Sequence, residues 1–116
     1  MNLDEQINRA GDALGNGEAV QRGLDENIEI ARRLLTSVAE AYRMQVAQCE
    51  RYAGCAGVEA LEMARDEIGK MLDSAKQTFD ELTSLAHQHG QDVVELEAAI
   101  HDAISHRQKM RVSKLN

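Results

Sequence analysis

Between Leu24 and Tyr52 the apolar residues recur by four and three without a slip. The row is Leu24, Ile28, Ala31, Leu35, Val38, Tyr42, Gln45, Cys49 and Tyr52, and only Gln45 is polar. A second row runs Val58, Leu61, Arg65, Ile68, Leu72, Ala75, Phe79, Leu82, Ala86, His89, Val93, Leu96, Ile100 and Ala103. Twelve of its fourteen members are apolar, in a chain that is 43% apolar overall. A 4-3 alternation is the stripe a helix shows when it lies along another helix, because 3.5 residues per repeat keeps one edge facing the partner. A strand needs period two, so these rows exclude it over most of the chain. Between the rows, Gly54-Cys55-Ala56-Gly57 supplies a helix stop and a reversal. The expected fold is therefore all-α, a long antiparallel helical hairpin with its elbow at 54–57.

The flanks add smaller elements. Leu3, Ile7, Ala10 and Leu14 mark a short N-terminal helix, which Gly15-Asn16-Gly17 is expected to end. Gly90, then Asp92 with Glu95 three residues on, has the form of a helix end and a capping box. The second row nevertheless keeps its phase across Gly90, so a kink or short break near 89–91 is expected. One helical domain over 1–116 then comprises a short helix and turn (1–17), long helices (18–53 and 58–88), a C-terminal helix (92–110) and a basic frayed tail (111–116). Ile30, Leu34 and Met44 on the first long helix, and Met63, Met71 and Leu85 on the second, fall beside the stripes. A lone hairpin would leave them wet. They are the candidate partner-binding residues, and the expected completion is a four-helix-type bundle.

Composition agrees with this and narrows function. There is no Pro and no Trp, and Phe and Tyr together number three. The net charge is −7, which disfavours phosphate backbones, so no nucleic-acid partner is expected. Arg107, Lys109, Arg111 and Lys114 lie in the last ten residues without an acid among them. They suit a helix C-terminus, whose dipole favours cations, and a docking tail is the alternative. No stretch nears the roughly 20 apolar residues of a membrane span. Without a basic-then-apolar leader the expected location is the cytoplasm, with export only by a route that reads no such signal.

No HExxH, phosphate-binding glycine loop, GxSxG or calcium loop occurs. Acid pairs such as Asp66-Glu67 point about 100° apart on a helix and do not converge. His87 and His89 are two apart and His101 and His106 five apart, both poor spacings for a shared ion. No catalytic, metal or cofactor site is expected. Cys49 and Cys55 flank the elbow and read as packed free thiols. The chain is read as a non-enzymatic interaction module that pairs with itself or with another helical protein. A cytosolic adaptor, chaperone, immunity protein or phage-type inhibitor, gripping one target through its apolar stripe and acidic surface, is the alternative.

Tyr52-Ala53-Gly54, followed by the small-residue run Cys55-Ala56-Gly57, resembles the elbow of the Trp-x-Gly proteins. These are small helical hairpins secreted by the type VII route, and here Tyr stands in the place of Trp. The resemblance covers about residues 20–90. It implies a homodimer or heterodimer forming a four-helix bundle, exported folded or serving a larger toxin. Tyr52 and Gly54 carry over as elbow residues, and Gly57 completes the turn.

Overall fold

The computed structural model describes residues 2–115, and of Leu115 the backbone only. Two helices account for nearly all of it: α1, Leu3–Arg51, and α2, Val58–Leu115. No strand occurs among the described residues. Helix α1 opens with Asn2, whose side-chain oxygen accepts from the Glu5 amide at 2.9 Å, and with Asp4 and Glu5 in its first turn. A capped donor and an acidic first turn are what a helix N-terminus favours.

Two expected interruptions are absent. Gly15-Asn16-Gly17 lies inside α1, so the separate N-terminal helix is corrected to the first turns of one 49-residue helix. Gly90 lies inside α2, so the separate C-terminal helix is likewise part of one 58-residue helix. The reason is visible in the phase. Leu3, Ile7, Ala10 and Leu14 continue through Gly17 and Gln21 into Leu24 without losing the 4-3 step, and all seven are buried or half-buried. Breaking the helix would detach one segment from a seam both share, whereas each interior glycine costs only about 1 kcal/mol relative to Ala. A reversal also needs a left-handed residue, and among the described residues only Gly54 and Gly57 have positive φ, at 80° and 88°.

Two compact units divide the chain. One comprises Glu26–Ser84, the elbow hairpin. The other pairs the residues up to Asp25 with those from Leu85 onward. In the hairpin unit α1 and α2 run antiparallel: Tyr42 meets Gly69, and the Gln45 amide donates to the Leu61 carbonyl at 3.2 Å. Gly69 is where Tyr42 presses closest, since a Cβ there would lie 3.3 Å from its ring. In the terminal unit Gln21 donates to the Ala86 carbonyl at 3.2 Å, Gly17 faces Val93, and Arg107 donates to Asp4 at 3.0 Å.

The cores are thin. Ile7, Val38, Cys49, Ala75 and Ala86 are buried, every one on the expected seam, and no described side chain is less than 2% exposed. The other seam members from Leu3 to Gln45 and from Val58 to Ala103 are half-buried. Two helices have one line of contact, so each seam residue keeps an edge in water.

Candidate interaction face

The elbow comes first, because it sets which faces of the hairpin lie together. Helix α1 ends at Arg51, and residues 52–57 reverse the chain. The Cys55 amide donates to the Tyr52 carbonyl at 3.0 Å and the Val58 amide to the Cys55 carbonyl at 3.3 Å. Gly54 and Gly57 both adopt the left-handed conformation that a side chain disfavours. Tyr52, the last member of the first seam row, does not cap the seam. It is 44% exposed, and its ring lies beneath the Arg51 guanidinium, 5.6 Å from the centroid. The row ends in practice at Cys49, which is buried. Cys55 is exposed and free, so only one of the two thiols is packed.

The hairpin's two flanks differ in chemistry. One is covered by charged side chains: Arg32 lies over the Phe79 ring at 5.8 Å and holds Glu29, and Arg65 pairs with Asp66 at 3.1 Å. The hydrogen bond and charge of Asp66 raise the Arg65 pKa above its ordinary value. Long charged side chains lay their stems over apolar surface and so shield this flank.

On the other flank large apolar side chains stand in the open beside the Glu67–Lys70 ion pair. Leu34 of α1 and Met71 of α2, 56% and 57% exposed, line an open groove of about 400 Å³. Ala31, Val38, Ala75 and Thr78 contribute to its walls, with Glu67 and Lys70 among its polar lining. Ile30 and Met44, 63% and 62% exposed, stand on α1 outside this lining. Of the six expected partner-binding residues, the structure thus brings Leu34 and Met71 together in one groove. Met63 is exposed one position further round α2, and Leu85 is exposed in the terminal unit. Val20, Val94, Met110 and Val112, which the sequence reading did not single out, are also exposed, all in that unit.

The seam's polar members are engaged in holding helices together. Gln45 reaches the Leu61 carbonyl. Gln21, which the sequence reading passed over, turns its amide nitrogen to the Ala86 carbonyl and to Asp25, leaving its oxygen 2.8 Å from His89 Nδ1. That orientation requires His89 to donate from Nδ1. Among the described residues no three His, Cys, Asp or Glu side chains come together, and no helix is long and apolar enough to cross a membrane. Compared with known proteins, the chain matches no family model, no curated protein and no solved structure.

Proposed function

We propose that this chain is a non-enzymatic helical interaction module whose uncovered hairpin flank is closed by helices of a partner, completing a four-helix arrangement. The observation that carries this reading is the set of large apolar side chains Ile30, Leu34, Met44 and Met71, all more than half exposed, with Leu34 and Met71 lining an open groove of the hairpin. Several large exposed apolar side chains, two of them lining an open groove, mark an interface more often than a bare surface. The non-enzymatic reading rests on the missing catalytic motifs and on seam glutamines committed to backbone carbonyls.

Light scattering of the purified protein, alone and mixed with material captured on it from its native lysate, tests the reading. The expected result is a defined complex that Leu34→Lys abolishes while leaving the helical signal intact. A chain that stays single in both settings, with Leu34→Lys indistinguishable from wild type, overturns it. A narrower form, a hairpin exported by the type VII route, is favoured by the position of Tyr52-Ala53-Gly54 at the helix reversal. It predicts intact protein in the culture medium of its host, lost when that route is disabled. Recovery of the protein from the cells alone would count against it.

A further inference from the structure

Six glycines lie inside the two helices, away from the elbow, and they are unevenly placed. Gly11, Gly15, Gly17, Gly23 and Gly90 all belong to the terminal unit, and the hairpin unit has Gly69 alone. Packing accounts for three of the six. Gly69 makes room for the Tyr42 ring, Gly17 faces Val93 Cγ2, and Gly90 faces the Gln21 amide, each with an atom of the opposite helix within 4 Å of where a Cβ would stand. At Gly11, Gly15 and Gly23 a Cβ would meet nothing within 4 Å, and none of these three has positive φ. At 100° per residue they stand about 100° or more round α1 from the middle of its seam, so no close approach of α2 uses them. Each still weakens the helix, because glycine has the most backbone freedom to lose. In place of alanine it turns the helix–coil balance about fivefold against the helix. Three such positions between Gly11 and Gly23 amount to a factor of roughly a hundred.

The seam of the same unit is poorer in apolar bulk. It includes Gly17, Gln21 and His89, and no aromatic ring, whereas the hairpin seam carries Tyr42 and Phe79. Buried apolar area is what two helices gain by pairing, so the terminal pair gains less. Its register is held by a few directed contacts. Gln21 reaches the Ala86 carbonyl and His89, and further along Arg107 and Arg111 lie 3.0 and 3.9 Å from an Asp4 side chain that is 58% exposed. Exposed ion pairs contribute little. Helices that are easily unwound and lightly held together open below the energy of global unfolding.

We propose that residues 3–25 are a releasable strap: the terminal unit opens cooperatively as a unit of its own, with the elbow hairpin still folded, and uncovers Ala86, Val93, Leu96 and Ile100 on α2. Gly11, Gly15 and Gly23 set how readily it opens. Opening needs no partner on the hairpin flank, so the strap stands apart from the interface assigned there.

Native-state hydrogen exchange of the full chain, read by mass spectrometry of peptic fragments, tests it. In wild type, fragments within 3–25 and 86–107 are expected to exchange roughly a hundredfold faster than those around Val38 and Ala75. Because the hairpin stays folded when the strap opens, Val38→Ala should speed exchange in the hairpin and leave both terminal fragments at their wild-type rates. Gly11→Ala, Gly15→Ala and Gly23→Ala combined should slow both terminal fragments by roughly tenfold or more, the α2 fragment included although none of its residues has changed. One rate for the whole chain, or an equal effect of Val38→Ala in both units, overturns the strap. Rapid exchange confined to 3–25 overturns its cooperativity with α2. A triple variant whose terminal fragments exchange as in wild type overturns the role of the three glycines.

Discussion

Gln21 and Gln45 show how a nearly uniform seam acquires polar fixed points. Each sends its amide across to a carbonyl of the other helix at 3.2 Å, and that carbonyl's second lone pair is free to accept although its first serves the helix. The two are not equivalent, because Gln21 also accepts from His89. Gln45→Leu therefore removes one bond and adds apolar surface, and its stability should change by less than about 1 kcal/mol. Gln21→Leu leaves the His89 N–H half-buried without a partner and should cost about 1–2 kcal/mol. Urea unfolding of both variants followed by circular dichroism checks the contrast. Equal effects would mean that the Gln21–His89 contact carries no weight. At the seam's most buried points the expectation is harsher: Val38→Asp places an uncompensated charge in a buried position and should lose roughly 3 kcal/mol or more. An unchanged melting curve there would remove Val38 from the core.

At the scale of elements, the glycines decide which expectations fail. Gly54 and Gly57 end a helix because their φ is positive; Gly15, Gly17 and Gly90 do not, because the seam holds them helical. This separates the substitutions. Gly15→Ala meets nothing within 4 Å and should stabilise by about 0.5–1 kcal/mol, since the unfolded chain loses freedom and the helix gains a better former. Gly17→Ala would put its methyl 3.3 Å from Val93 Cγ2, tight enough to cancel that gain, and is expected near zero or below. Gly54→Ala should destabilise by about 1 kcal/mol or more through its left-handed φ. Thermal melts of the three variants should rank Gly15→Ala above Gly17→Ala and Gly17→Ala above Gly54→Ala. A stabilised Gly54→Ala would contradict the turn as described.

For the molecule as a whole, the few buried side chains and the large exposed area mean that stability depends on what covers the remaining apolar surface. Where a partner closes the uncovered hairpin flank, folding and association are linked, and the melting temperature should rise with the concentration of the complex. Differential scanning calorimetry over a hundredfold range checks this, and Leu34→Lys should flatten the dependence. A melting temperature independent of concentration in wild type would mean the thin seams suffice alone.

How much of this was legible beforehand follows from what each feature depends on. The all-helical class, the elbow, and the membership of both seams are local matters of spacing and glycine chemistry, and Leu35, Val38, Ala75 and Ala86 stand where their spacing put them. Helix continuity was not legible at Gly15-Asn16-Gly17 or Gly90. Isolated glycines offer a stop, and only contact with the opposite helix, Val93 against Gly17 and Gln21 against Gly90, makes the unbroken form cheaper. Nor could spacing show that Gln21 and His89 would meet, because 68 residues separate them and pairing register alone brings them to 2.8 Å. Period fixes which edge of a helix seeks company; only the packed pair of helices decides which edge has already found it and which still lies open.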